Sequence, residues 1–592
     1  MAYERLGFTP SPYQAKVFDF VRHGTGNGVI SAVAGSGKTK TIVNAMKLVP
    51  KTKKCLFIAF NNSIVDELHE KLKSYPNCVA RTLHSLGFLI IRRNLGDEIS
   101  IDEFKYRTFV KQNVKELVGD DETAETMSKP EVNRYVDNIT ALIDFSRFNC
   151  AQSTKEVDSI AKKYGVPIQM NECEATVRCL KWGREHTDTI DFTDMVWLPY
   201  ELSLKPLGCQ YDWIFADEVQ DFSLLSVDLF KRCFKRGTRF IAVGDKNQMI
   251  NLFAGSSEDA FDSLCEMPNT TVFSLPITYR CAKNIVKVAQ RFSPETVARD
   301  DAPDGEVVDN FHIKDIRSGD MVIARSKTPL IKLYTRFLKM GVPCYIKGQE
   351  IGRELLNTVD AVPEEITELN KDLQHDGVFV RMYDAMFDMR NRLMAKYGLD
   401  LNDATLSSYV TNMYDTISSL DTLAIGCKTR ADLVRRVTSL FDEDNNGVCL
   451  STIHKAKGLE SERVFVLCNS TLPSKLAKTD WERLQERNLQ YVAYTRPRTV
   501  LGYVSEKEVS PSGSLLEPEG ILSEAKYIEN MVCRALGKQP MKEMGDGEMA
   551  RFRMDRSQTV INDRTMKRNT APLKTQKTAG TDLLAELVDC DE

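Results

Sequence analysis

Three groups of residues in this chain have the types and spacing that phosphate chemistry requires. The first is AVAGSGKT, Ala32 to Thr39. Gly35 and Gly37 let the backbone curl so that N–H groups of the turn, which also holds Ala34 and Ser36, point inward; a following helix N-terminus adds partial positive charge. Lys38 then reaches the β- and γ-phosphates of a nucleotide, and the Thr39 hydroxyl ligates Mg²⁺. The first position of the generic pattern, usually glycine, is Ala32. The second group is YDWIFADEVQD, Tyr211 to Asp221, in which a hydrophobic stretch ends in adjacent carboxylates. In a phosphate-loop protein Asp217 holds Mg²⁺ through water, and Glu218 polarises the attacking water as general base. The third group is scattered: Gln248, three residues beyond Asp245, is placed to sense a γ-phosphate, and Arg280 and Arg496 carry the planar fork that suits a transferring phosphoryl group. Taken singly, such an arginine is more often a surface cation.

Other positions suit a base or a nucleic-acid backbone. Gln14, just upstream of the phosphate loop, offers a donor and an acceptor to an adenine edge, and an exposed helix glutamine is an equal reading. Phe60 and Asn61 end the run CLFIAFNN, where an aromatic would stack on a base for roughly 1–3 kcal/mol or serve as a core residue. The hydroxyls and His84 of TLHSLG suit a phosphate backbone. Thr452, His454, Lys457 and Glu460 share one loop of VCLSTIHKAKGLESERVFVLC.

The elements that must hold these groups follow a βα rhythm. GVISAV before the glycine turn reads as a buried parallel strand. TKTIVNAMKLV after it reads as a helix, with Ile42, Val43, Ala45, Met46 and Val49 at helical spacing. CLFIAFNNSIVDELHEKL, YDWIFADEVQD and RFIAVGDKNQ repeat the pattern of a strand followed by a chemical group. From about Ile91 to Trp182 the chain is helical and polar without strand-like runs, and IDFTDMVWLP (Ile190 to Pro199) returns it toward the sheet. MVIARS, KTPLIKLYTRFLKMG and VPCYIKG form a second unit of strand, helix and strand. It is interrupted from about Gln349 to Asn445 by mainly helical sequence, clearest in VFVRMYDAMFDMRNRLMAKYG. The fold class expected is therefore α/β, with two parallel-sheet units each carrying a mainly helical insertion. Beyond Ser510, SEAKYIENMVCRALG suits one amphipathic helix; the basic stretch Arg551 to Lys577 and the acidic end read as a solvated linker, with a DNA- or partner-binding arm as the lesser reading.

Composition sets the bounds. A length of 592 residues suits roughly three to five domains. The N-terminal MAYERLGFTP lacks the apolar core of a signal peptide, and the longest apolar run, Cys55 to Phe60, is far short of a membrane span. The 15 cysteines without a C-x-x-C pair, beside 7 histidines, point to reduced thiols in a cytoplasmic compartment (or a nucleoid or nucleus) and away from zinc. A formal charge of −4 gives no global sign of nucleic acid and excludes no local basic groove.

AVAGSGKT, AFNNSIVDEL, TLHS, DEVQD, VGDKNQ, TYR, STIHKAKGLE and QYVAYTR stand in the order of the superfamily 1 helicase motifs. The chain resembles the UvrD/PcrA/Rep-like branch, and AFNNSI and KGQEIG look like its viral and F-box-helicase variants. The resemblance implies two RecA-like domains with ATP between them: residues 1–90 plus 183–275, interrupted by insertion 91–182, and residues 276–348 plus 446–510, interrupted by a reduced insertion 349–445, with 511–592 as an extension. It implies ATP and Mg²⁺ as cofactors, Gln14 and Tyr279 at the adenine, Glu460 at the ribose, and Gln248, Arg280 and Arg496 at the γ-phosphate. It further implies that Phe60, His84, Phe253 and the Thr452–His454 loop line a single-strand track, with Asn61 beside it. The expected activity is 3′ to 5′ movement on single-stranded DNA and 3′-tailed duplexes, in replication or repair. Departures are Asn251 in place of an aromatic, Ala254 in place of an arginine, and a short segment with Pro511 and Gly513 where relatives carry a strand-separating hairpin. They motivate an alternative, a DNA-stimulated ATPase acting as a translocase or nucleotide-gated switch without strand separation. A phosphate-loop kinase and an RNA motor are the other readings.

Overall fold

The computed structural model describes residues 8–348 except 128, 169, 253 and 254; then 352–353, 355–356, 359, 419–420, 423 and 430–440; and 447–509 except 476 and 478. In chain order the strands are β1 (Asn27–Ala32), β2 (Cys55–Ala59), β3 (Cys78–Thr82), β4 (Ser100–Ile101), β5 (Thr189–Ile190), β6 (Tyr211–Ala216), β7 (Phe234–Gly244), β8 (Thr270–Leu275), β9 (Ile277–Thr278), β10 (Val297–Ala298), β11 (Glu306–Val308), β12 (Met321–Ala324), β13 (Cys344–Ile346), β14 (Val448–Thr452), β15 (Ser461–Leu467) and β16 (Pro497–Val504). Two six-stranded sheets result, ordered β3-β2-β6-β7-β1-β8 and β11-β16-β15-β12-β14-β13. Every pairing within them is parallel. The two sheets bear out the α/β expectation of paired RecA-like units.

Parallel sheets covered on both faces need apolar residues at successive positions, which is why these strands read as continuous hydrophobic runs. Leu56 and Ile58 of β2 join one core with Ile214, Phe240 and Ala242, while Cys55, Phe57 and Ala59 join the core on the opposite face with Trp213, Phe215 and Ile241. The second sheet repeats the arrangement, with Val322 and Phe465 on one side and Ile323 and Val464 on the other.

Between β3 and β6 the chain is mainly helical, in helices such as Leu83–Leu95, Lys129–Phe148 and Glu172–Glu185. A buried ion network anchors this region: Arg147 is 2.8 Å from both Asp191 and Asp194, and Lys105 is 2.8 Å from Asp194. Here one expectation is corrected: Ser100–Ile101 is a strand within the supposedly strand-free insertion, and it pairs with Thr189–Ile190 in a separate two-stranded sheet. The segment from Ile190 to Pro199 leads back toward the main sheet as a helix: Asp191 and Asp194 form a capping box that starts Phe192–Glu201, which packs in the first sheet's core. Met195, Val196, Trp197 and Leu198 are all buried on that helix, so their consecutive apolar character reflects burial on several sides and not a strand.

Of the second insertion the helix Arg430–Ser439 is described. The amphipathic run VFVRMYDAMFDMRNRLMAKYG, most of KGQEIG's acidic end, and everything from residue 510 on, including Pro511, Gly513 and the tail, lie outside the described residues. Among the described residues no helix is long and apolar enough to cross a membrane.

Candidate nucleotide and nucleic-acid site

In the first sheet β1 lies between β7 and β8, and β6 lies beyond β7. The chain leaves β1 for β2 across two intervening strands, and such a switch point opens a crevice at the carboxyl ends of the strands. Lys38 after β1, Asp217 after β6 and Asp245 after β7 therefore meet. The helix Lys38–Met46 has Gly37 at its N-cap in the left-handed region (φ 76°) and no side-chain cap, which leaves its first N–H groups free for an anion. Gly35 is also left-handed, at φ 73°. A Cβ there would come within 2.6 Å of Arg280 Cβ and of Thr278 Oγ1, so glycine is needed for close approach as well as for the turn. The Tyr279 N–H donates to the Gly35 carbonyl at 2.8 Å, which seats the LPITYR segment directly on the phosphate loop.

The polar groups of the crevice are linked. Lys38 Nζ lies 2.8 Å from Glu218 Oε2, and the Thr39 hydroxyl donates to Asp217 Oδ2. Gln220 donates to Glu218 and accepts the Asp245 N–H at 3.0 Å. Glu218 sits in the left-handed region at φ 52°, a strain of order 1–3 kcal/mol for a non-glycine residue. Burial works against charge on Lys38, but Glu218, Asp245 and Asp217 outweigh it and raise the ammonium above its ordinary value. Burial likewise opposes ionisation of Glu218, and there Lys38 and Lys457 prevail and hold the carboxyl well below its usual range. Asp217 goes the other way, raised by burial and by the Glu218 charge. Burial pushes Asp245 up to about 6. Buried carboxylates thus exceed the nearby ammonium in charge, the environment that a divalent cation with oxygen ligands suits. The Ser36 Oγ, buried in the phosphate loop, has no hydrogen-bond partner within the protein.

The second sheet supplies the remaining groups. Arg496 is fully buried; its Nε donates to the Val492 carbonyl at 2.8 Å and its Nη2 reaches Gln248 Oε1 at 3.5 Å. Gln248 Nε2 in turn donates to Asp245 at 2.7 Å. Burial and the neighbouring Arg280 bring the Arg496 guanidinium down to about 9. Arg280 donates to Glu460 and to the Thr495 carbonyl, and Arg498 donates to Glu460 as well. The surface-cation reading of Arg280 is thereby set aside: it lies against the phosphate loop, paired with Glu460. Tyr279 leaves a face open, with 43% of its surface exposed.

Gln14 is neither exposed nor free. Its Nε2 donates to Thr41 Oγ1 at 2.9 Å and its Oε1 accepts the Ser11 N–H at 3.0 Å, closing a capping box; these bonds fix the amide and leave its second N–H and second lone pair for an adenine edge. Phe60 is 48% exposed, which excludes the core reading, and the Lys457 ammonium stands 5.6 Å from its ring centroid. Asn61 caps the helix Asn62–Leu72, accepting the Ile64 N–H at 3.0 Å, a local structural duty that its spacing did not reveal. His84 is exposed in the first turn of the helix Leu83–Leu95. Thr452 is buried at the end of β14. His454 is driven down to about 3 by burial and by Arg325 and Lys455, so its imidazole is neutral. Phe253 and Ala254 lie outside the described residues; Asn251 donates to Asp221 at 3.2 Å.

Gln220, Tyr491 and Asn488 were not read from sequence, and Asp245 and Lys457 were read only as neighbours of other groups. Asp245 and Gln220 link Glu218 to Gln248. Tyr491, fully buried, accepts the Ala34 N–H of the phosphate loop at 3.0 Å through its hydroxyl. Asn488 donates to the carbonyls of Lys246 and Met249 at 3.3 and 2.8 Å, and Lys457 pairs with Asp221. Polar residues of QYVAYTR and its approach interleaved with apolar ones are the one signal that could have pointed to them.

Residues 14–267 match the profile of the UvrD/REP helicase N-terminal domain, and residues 361–508 that of the UvrD-like helicase C-terminal domain. Among curated proteins, the chain is similar to the ATP-dependent DNA helicase Rep of Buchnera aphidicola subsp. Baizongia pistaciae, 24% identical over 47% of this chain and 42% of that protein. It is similar to the probable DNA helicase II homolog of Mycoplasma pneumoniae, 22% identical over 84% of each chain. F-box DNA helicase protein 1 of Schizosaccharomyces pombe is 24% identical over 79% of this chain and 54% of its own length. The chain therefore spans less than half the length of the Rep relative. Two consecutive family profiles, two parallel sheets and a phosphate loop seated against the second sheet's arginines together make the chain a member of the UvrD/Rep-like superfamily 1 helicases.

Proposed function

We propose that this chain is an ATP-dependent DNA helicase that moves 3′ to 5′ on single-stranded DNA. The observation that carries the reading is the convergence of Arg280 and Arg496, from the side of the second sheet, on the crevice that holds Lys38. Residues 1–90 plus 183–275 form the nucleotide-holding domain and residues 276–348 plus 446–510 the domain that delivers the arginines. ATP is the substrate. Gly35, Gly37 and Lys38 cradle its phosphates, with Ala34 and Ser36 in the same turn. Tyr279 stacks on the adenine, Gln14 reads its edge, and Glu460 meets the ribose. Thr39 and Asp217 would hold Mg²⁺, which when bound neutralises phosphate charge.

Glu218, ionised at neutral pH, accepts the proton of the attacking water. To do so it must give up Lys38, which then turns to the phosphates. Gln248 links the γ-phosphate position to Asp245 on one side and to Arg496 on the other, so loss of the phosphate loosens the contact between domains. Phe60, His84 and the Thr452–His454 loop, with Asn61 beside them, form the strand track; Lys457 over Phe60 also faces Glu218, which ties strand occupancy to the water-activating carboxylate. Closure counts as a step only if ATP binds the closed arrangement better than the open one.

The test is ATP hydrolysis with and without single-stranded DNA or RNA, followed by displacement from a 3′-tailed duplex. DNA stimulation with strand displacement supports the reading. Stimulation with streptavidin displacement but no duplex opening favours the translocase alternative, for which Asn251 at the departing aromatic position is the specific motive. Absence of stimulation by either polymer would contradict both.

A further inference from the structure

Cys55 opens β2 and Cys78 opens β3, and the two are direct register partners in neighbouring parallel strands. Register partners project to the same face, and adjacent strands lie roughly 4.8 Å apart, inside the Cα separation of about 4.4–6.8 Å that a disulfide spans. Both thiols are free, and the Cys55 Sγ donates to the Lys53 carbonyl at 3.5 Å and accepts from Asn77 Nδ2 at 3.9 Å. Cys55 is fully buried and Cys78 partly exposed. β3 is the edge strand of the sheet and both cysteines are first residues of their strands, so the small approach a covalent bond needs is opposed by one neighbour only. We propose that Cys55 and Cys78 are a reversible oxidation site that takes hydrogen peroxide and closes to a disulfide.

Cys78, the partly exposed member of the pair, is the sulfur that peroxide reaches, and the neighbouring Cys55 thiol lowers it despite burial. Cys78 therefore attacks, as its thiolate. Its sulfur takes one peroxide oxygen, giving a sulfenic acid and releasing the other oxygen as water. The Cys55 sulfur then displaces the sulfenic hydroxyl, which leaves as a second water with the Cys55 proton. Two thiols are oxidised, one peroxide is reduced to two waters, and a thiol reductant reverses the bond by exchange. The closed loop encloses the helix Asn62–Leu72, and the strands it staples end at Ala59, next to Phe60, and at Thr82, two residues before His84. Oxidation therefore fixes the spacing of two exposed positions at the far end of the same pair of strands.

The experiment treats the full chain with one equivalent of hydrogen peroxide, blocks remaining thiols by alkylation, and maps tryptic peptides without reduction. The expected product joins peptides Cys55–Lys71 and Ser74–Arg81, disappears on reduction, and is absent from Cys78→Ser. In Cys55→Ser the Cys78 sulfenic acid, left without its partner, is captured by a dione probe. The joined protein shows an upward shift of its urea midpoint. Cys78 carried to sulfinic acid in the wild type with no joined peptide, or joined to other cysteines as often as to Cys55, overturns the proposal.

Discussion

Around Lys38 the decisive quantity is a charge imbalance. Asp217, Glu218 and Asp245 are buried close to Lys38, and burial raises the Asp245 carboxyl to about 6. A shift from 3.8 to about 6 corresponds to about 3 kcal/mol at neutral pH. Because the folded value lies above the unfolded one, this residue's contribution to stability is greatest below about pH 4, is lost as pH rises through about 6, and stays lost at pH 7. Asp245→Asn is therefore expected to raise the urea midpoint of the nucleotide-free protein at pH 7.5, with an advantage that shrinks toward pH 5; an advantage that grows at pH 5 would refute the assignment. Lys38→Ala and Glu218→Gln are expected to lower DNA-stimulated ATP turnover by about 10²–10⁴-fold with circular dichroism unchanged. Turnover at the wild-type rate in either variant would remove both residues from the chemistry.

At the scale of elements, the helix Asp480–Tyr494 is the part that joins the sheets. Asn488 holds the carbonyls at both ends of the Lys246–Met249 turn, Tyr491 holds the phosphate loop, and Arg496 follows its end. Tyr491→Phe leaves the buried Ala34 N–H without an acceptor, at about 1–3 kcal/mol, and is expected to lower the urea midpoint accordingly. An unchanged midpoint would mean that the loop finds another partner. The central strands of both sheets and their terminal chemical groups were legible from sequence, because a covered parallel strand is a continuous apolar run and ends where ligands gather; the edge strands Thr270–Leu275 and Glu306–Val308, largely exposed, gave no such run. Ile190–Pro199 gave no helix signal because a helix buried on several sides shows consecutive apolar residues in place of helical spacing. The exposed-helix reading of Gln14 fails because spacing does not reveal that Thr41 and Ser11 hold its amide in a buried position. Tyr491 was illegible as a loop contact: the two partners are 457 positions apart, and an aromatic on an amphipathic helix looks like core.

For the whole molecule, the question is whether the two sheets act on one nucleotide. Arg280 and Arg496 are separated by most of the second unit, yet one rests against Gly35 and the other reaches Gln248. A group that stabilises charge on a transferring phosphoryl unit from a second domain is worth about 10³–10⁵ in turnover. It is also irreplaceable by lysine where the planar fork matters. The most direct measurement is steady-state ATP turnover on saturating single-stranded DNA for Arg280→Lys, Arg496→Lys and the double variant, beside nucleotide affinity for each. The expected result is a fall of at least about 10²-fold in kcat for each single variant, a double variant little worse than either, and nucleotide affinity retained. Wild-type kcat in both single variants, with DNA stimulation intact, would contradict the account.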